Sequence, residues 1–169
     1  MKKAVIGIAL AAVLAAGTAF ASPVHPNGFG IGALWGGSVD GGLNNNVALS
    51  LHVPGVPVFW GIRLGLGGEN LRLGLQGDYY FLGSYLVGDF LGWFLGFGLY
   101  GNFSFGDNAA IGFGARLPIG LTIQPIDLLE IFLNVAPQIG LHMYTGGGGG
   151  IHFPSGGFFG FEIGLRLWF

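Results

Sequence analysis

The last twelve residues, Phe158 to Phe169, read FFGFEIGLRLWF. The odd positions, Phe159, Phe161, Ile163, Leu165, Leu167 and Phe169, are all large and apolar. The even positions, Phe158, Gly160, Glu162, Gly164, Arg166 and Trp168, hold the small and charged residues. Successive side chains of a strand leave opposite faces, so alternation this strict predicts a β-strand with one wholly apolar face. Whatever the chain folds into must bury that face or present it to lipid.

The same period of two recurs upstream and predicts eight strands. The first runs from about Gly28 to Gly36, with Phe29, Ile31, Ala33 and Trp35 on one face. A loop at 37–45, rich in Asn, Asp and Gly, separates it from Asn46–Val53. Pro54-Gly55 is a tight turn, and a third strand alternates through Val58, Trp60, Ile62 and Leu64 to Leu66. Gly67-Gly68-Glu69-Asn70 is a hairpin loop before the fourth strand, Leu71–Phe81, whose apolar stripe ends on Tyr79 and Phe81. Leu82 to Asp89 reads as a connection, Phe90–Tyr100 as the fifth strand and Gly101–Asn108 as a loop. Ala109–Ile123 is the sixth strand, Gln124–Asp127 a turn, and Leu128–Met143 the seventh. Tyr144–Gly157, with five consecutive glycines, leads to the last strand. A helical reading of Phe81–Tyr100, with Gly88, Gly92 and Gly96 at four-residue spacing, competes with the strands. Asp89 and the alternation from Phe90 onward favour strands. Pro118 and Pro137 cannot donate to a ladder and predict bulges or strand ends.

Composition says what solvent the apolar faces meet. Charged residues make up 8% of the chain, against roughly 25% in soluble domains. So few charges cannot dress a water-facing surface, which points to lipid. Residues 1–21 read as a secretory signal peptide: Lys2 and Lys3, the apolar run Val5–Ala16, then the small-x-small site Ala19-Phe20-Ala21. Removing it leaves 169 − 21 = 148 residues, one domain at 22–169, with four arginines against eight acids and no cysteine. That balance makes nucleic acid an unsuitable partner and removes disulfides as staples. Eight membrane-crossing strands use about 80 residues, so the length fits an all-β, eight-stranded antiparallel transmembrane up-and-down β-barrel.

Charge parity assigns the faces. Arg63, Arg72, Arg116 and Arg166, with Asp78, Glu130 and Glu162, all lie opposite the apolar stripe of their own strand. An arginine facing lipid at mid-membrane costs roughly 2–4 kcal/mol, so these seven are expected inside as an ion-pair network. Phe90, Phe94, Tyr100, Phe132, Phe158 and Trp168 share the inward parity and are expected to pack over glycines. An eight-stranded lumen is just wide enough for side chains to fill, so it is expected to be closed or very narrow. Trp35, Trp60, Tyr79, Trp93 and Phe169 fall near expected strand ends, where interfacial aromatics belong.

This layout resembles small outer-membrane barrels of the OmpX and OmpA-transmembrane type. Ala115–Leu141, ARLPIGLTIQPIDLLEIFLNVAPQIGL, resembles a spirochaetal family of small outer-membrane barrels without assigned function. The terminal stripe Phe159, Phe161, Ile163, Leu165, Leu167 and Phe169 resembles the C-terminal signal by which such barrels are recognised for assembly. The resemblance implies a bacterial outer-membrane location, with lipid, the barrel assembly machinery and periplasmic chaperones as partners and no catalytic residues to transfer.

Catalytic and metal chemistry find thin support. Ser50 and His52 lie two apart on the inward face of strand two, a spacing that suits a lipid-modifying enzyme, but nothing places the inward acid Glu162 near enough to orient the histidine, and parity puts the pair in the lumen rather than towards lipid. His142, His152 and His25 do not make the three or four placed ligands that a metal needs. Gly146–Gly150 lacks the Lys-Ser/Thr of a phosphate loop. No cofactor is expected. The leading function is structural or surface interaction through outer loops with an unidentified extracellular ligand. A narrow porin-like channel is the alternative, and a lipid-modifying enzyme the third reading.

Overall fold

The computed structural model describes residues 24–38, 46–65, 71–105, 109–144, 151–152 and 159–169. The expected signal peptide, the hairpin loop at 67–70 and most of the loops at 37–45 and 144–157 lie outside the described residues. The chain forms β1 (Gly30–Ser38), β2 (Asn46–His52), β3 (Phe59–Gly65), β4 (Leu71–Val87) and β5 (Leu91–Phe105). There follow β6 (Ala110–Arg116), β7 (Ile119–Ile126), β8 (Leu129–Tyr144), β9 (Ile151–His152) and β10 (Phe159–Trp168). Among the described residues no helix is long and apolar enough to cross a membrane, and Phe81–Tyr100 lies in β4, β5 and the turn between them.

β1 to β5 pair antiparallel in chain order, β6 and β7 together fill one place between β5 and β8, and the two-residue β9 pairs with β8 off the ring. β10 pairs with β8 on one side and with β1 on the other, closing the sheet into a ring of eight strands. Phe29 and Phe169 exchange backbone bonds of 3.0 and 2.8 Å at the end of that seam. Followed residue to residue, the ladder runs from Trp168 through Gly30, His52, Phe59, Asp78, Gly98 and Arg116 to Gln138. Gln138 adjoins Pro137, whose partner is Phe159, so the circuit returns one rung past Phe159, ten residues from its start. Closure of eight strands with such a stagger tilts them roughly 35–45° from the axis.

β4 is longer than its sequence suggested, and a bulge explains why. Tyr80 pairs with Gly96 but Leu82 with Leu95, so Phe81 is the extra residue. A single inserted residue shifts the side-chain parity beyond it, here as far as Tyr85, after which a second register shift leaves Leu86 as another extra residue. Even residues up to Tyr80 face inward, whereas Leu82 and Ser84 face outward and Gly83 pairs with the inward Phe94. The alternation therefore breaks although the strand continues to Val87. The turn falls at Gly88–Phe90, with Gly88 at φ +49° and the Phe90 amide donating to the Val87 carbonyl at 3.2 Å. Phe90, expected inside, is half exposed in that turn. β5 likewise continues to Phe105 through residues expected to be loop.

Proline accounts for the break between β6 and β7. Arg116 pairs with Gln138 and Ile119 with Val135, so the register passes through Leu117–Pro118 without a slip. Pro118 has no N–H to give, yet its carbonyl accepts from the Gly96 amide at 2.8 Å. Pro137 is neither a bulge nor a strand end: it lies within β8, opposite Phe159, and accepts from the Leu117 amide at 2.9 Å. Between β2 and β3 the Val56 amide reaches the Val53 carbonyl at 3.1 Å, and Gly55 sits at φ +76°. That is a type II turn with Pro54 and Gly55 at its centre, and it delays β3 to Phe59. The expected turn at 124–127 sits slightly later, after a register shift between Ile123 and Ile126.

The outer face of the ring is apolar along its described length except at Ser84, exposed opposite Trp93 near the end of β4. Leu64, Leu99, Ile139 and Leu165 are half or more exposed, and no described strand residue on that face is charged. Trp60 and Phe169 are exposed at strand ends, while Tyr79 falls in the middle of the lengthened β4. Among the described residues, the inner face holds Leu34, Ala48, Phe59, Tyr80, Phe94, Phe132 and Trp168, with ten buried polar or charged residues between them.

Candidate functional site

The interior is built on a local rule: bulky or charged residues on two strands meet across a glycine on the strand between them. Gly98 is in register with both Asp78 and Arg116, and the Arg116 Nε stands 3.3 Å from Asp78 Oδ1. Gly32 is in register with both Arg166 and Ser50, and Arg166 Nη2 donates to Ser50 Oγ at 2.9 Å. Gly30 separates His52 from Trp168, whose rings lie 5.2 Å apart. A Cβ on Gly164 would meet Phe132, one on Gly120 would meet Phe94, and one on Gly96 would meet Tyr80. The inward glycines are the space into which their neighbours' side chains fold.

Among the described residues, two charge clusters lie inside the ring. At the first, Arg116 Nη1 and Nη2 each donate to one oxygen of Glu162, both at 2.8 Å, the bidentate geometry that makes such pairs strong. Arg63 also donates to Glu162 and to Gln76. Asn134 Nδ2 adds a bond to Glu162 at 3.0 Å, and Arg116 Nη1 one to Gln76 at 2.6 Å. At the second, Glu130 is fully buried and accepts four bonds. Oε2 takes Arg166 Nη1 at 2.6 Å and Trp168 Nε1 at 2.9 Å. Oε1 takes Thr122 Oγ1 at 2.9 Å and His25 Nδ1 at 2.7 Å. The Arg166 guanidinium lies over Phe59, Phe132 and Trp168, 4.6–5.4 Å from their centroids.

Six of the seven residues expected in an interior network are thus brought into ion pairs: Arg63, Arg116 and Glu162, Arg116 with Asp78, and Arg166 with Glu130. The side chain of Arg72 lies outside the described residues, though its backbone stands opposite Gly65 and Ser104. In the terminal stripe, Phe161, Ile163, Leu165, Leu167 and Phe169 lie on the outer face or at its end, and the side chain of Phe159 is outside the described residues. Of the aromatics expected inside, Phe94, Phe132 and Trp168 are buried there, Tyr100 is half-buried and Phe158 is outside the described residues. Ser50 and His52 have separate partners, Ser50 serving Arg166 while His52 Nδ1 donates to the Gly28 carbonyl at 2.8 Å. Among the described residues no group of three or more potential ligands is placed to hold a metal.

Sequence reasoning missed the N-terminal lead. Residues 24–28 precede β1 and turn into the end of the ring where the short turns lie. Val24 is fully buried against Gly92, where any Cβ would collide with its side chain, and its carbonyl accepts from Gln124 Nε2 at 2.6 Å. His25 packs against Phe59, Tyr80 and Phe94 with centroids 4.9–5.0 Å away. Phe59 and Tyr80 were missed with it. Only their inward parity signalled them, and nothing in the periodicity marks the lead itself.

No curated protein and no solved structure matches this chain. Residues 54–166, from the β2–β3 turn almost to the end of β10, match the sequence model of a family described as "protein of unknown function (DUF3996)". With this match covering more than half of its length, the chain belongs to that family.

Proposed function

We propose that this chain is an eight-stranded transmembrane β-barrel of the bacterial outer membrane, similar in type to OmpX, exported by a signal peptide removed after Ala21. Its lumen is closed, and its role is structural or surface-interacting, exercised through the loops at the end away from the short turns. One observation carries this reading. The ring is apolar outside and charged inside, with Arg116, Arg166, Asp78, Glu130 and Glu162 all buried. Water would favour the reverse, whereas lipid demands a closed ring with satisfied backbone and an apolar exterior. Ion pairs at two levels and the seated Val24–His25 segment support a plugged lumen over a pore.

A narrow channel for small solutes is favoured by one detail. The Arg63 side chain is 23% exposed, against 4% for Arg116 and 2% for Arg166, so the interior is more open on its side. Planar-bilayer conductance of the refolded protein, after a heat-modifiable gel shift establishes folding, separates the readings. Silence is expected. Steady steps that change in Arg116→Ala would make transport the leading function.

A further inference from the structure

No ladder holds His25, yet its side chain is only 4% exposed. The three rings around it come from β3, β4 and β5, and the carboxylate that it meets comes from β8. The cage is therefore made by the strands and filled by a residue that belongs to none of them. We propose that Phe59, Tyr80, Phe94 and Glu130 form a binding pocket for a neutral, planar N–H heterocycle of the azole class, which His25 fills as a tethered occupant.

Each part of that ligand class follows from the geometry. Three rings with centroids 4.9–5.0 Å from the imidazole centre suit a small flat ring rather than an alkyl chain. Glu130 Oε1 stands 2.7 Å from Nδ1, a position that requires a donor on the ring. Glu130 is already matched by Arg166 at 2.6 Å, so the local charge is balanced and a neutral donor fits better than a second cation. The tether makes His25 a strong competitor because its effective concentration is high. Its seat is nonetheless incomplete: Nε2 is buried without a hydrogen-bond partner, which weakens the hold. Beyond that contact the segment is held by the burial of Val24 over Gly92 and by the bonds from Gln124 to the Val24 carbonyl and from His52 to the Gly28 carbonyl.

The test uses the mature protein refolded in micelles, with imidazole as the probe at a mildly alkaline pH that keeps it neutral. Trp168 Nε1 donates to the other oxygen of Glu130 at 2.9 Å, so its indole NMR resonance reports on the pocket. His25→Gly is expected to show a saturable shift in the millimolar range, as befits so small a ring, with none in the unsubstituted protein. 1-Methylimidazole, which lacks the N–H, is expected to bind roughly tenfold more weakly or worse. Gly92→Leu, which fills the place of Val24, provides a second folded variant in which imidazole is expected to enter. Folded variants without a saturable shift, or 1-methylimidazole bound as tightly as imidazole, would overturn the proposal. Equal binding by the unsubstituted protein would overturn occupancy by His25. Because the readout is binding in micelles, the result does not depend on whether the barrel conducts or where it resides.

Discussion

Gly98 lies between Asp78 and Arg116 in the ladder, and that one absent side chain lets a carboxylate and a guanidinium meet across a strand. Arg116 then grips both oxygens of Glu162. Removing it strands two buried acids, although Glu162 keeps Arg63 and Asn134. Breaking a buried pair by deleting one partner costs about 3–5 kcal/mol, because the remaining charge stays buried. Arg116→Met is therefore expected to lower the stability of the refolded protein by that amount in urea titration. Adding Asp78→Asn to it is expected to recover part of the loss, since Asp78 meets no other arginine among the described ion pairs. A loss below about 1 kcal/mol for the single variant would mean that water reaches the cluster. The inward parity of these residues was legible from alternation alone. Their partners were not, because pairing depends on register and on which residues face each other across the lumen.

At the level of elements, period two located every strand of the ring but misplaced the ends of those whose parity changes. β4 shows the cause: Leu82 to Val87 looked like a connection only because Phe81 interrupts the count. The bulge suggests a direct test. Deleting Phe81 makes Leu82 follow Tyr80 with the same faces they have now, so the ladder becomes regular as far as Tyr85 and the ring is expected to fold. Deleting Gly77 instead carries Asp78 and Tyr80 to the outer face before the bulge restores the pattern, which exposes a charge and empties part of the cage around His25. A heat-modifiable gel band should survive the first deletion and be lost in the second. Survival of both would mean that β4 is not held in register by its faces. The lead at 24–28 remained invisible for a different reason. It has no periodicity, and its place is set by a bond from Gln124 to the Val24 carbonyl and one from His25 to Glu130, partners distant in the chain.

For the whole molecule the decisive property is which solvent surrounds the ring. Val135 lies near the middle of β8 on the outer face and is 49% exposed, while Leu128, in the turn before β8, is 45% exposed. In water an arginine at either place is an ordinary surface substitution, worth within about 0.5 kcal/mol. In a bilayer the two sites separate by depth. Arginine costs roughly 2–4 kcal/mol at the midplane and about 0–1 kcal/mol near the interface. Val135→Arg is therefore expected to destabilise the protein by the larger amount in lipid vesicles and Leu128→Arg by the smaller, read from urea unfolding of each variant. The contrast controls for the general effect of adding a charge, since the two sites are almost equally exposed and differ in position along the strand. Two values near zero would place the apolar face against water or another protein and sink the membrane reading. A large cost at Val135 alone would make the lipid belt, rather than any contact within the lumen, the reason for the inverted distribution of apolar and charged residues.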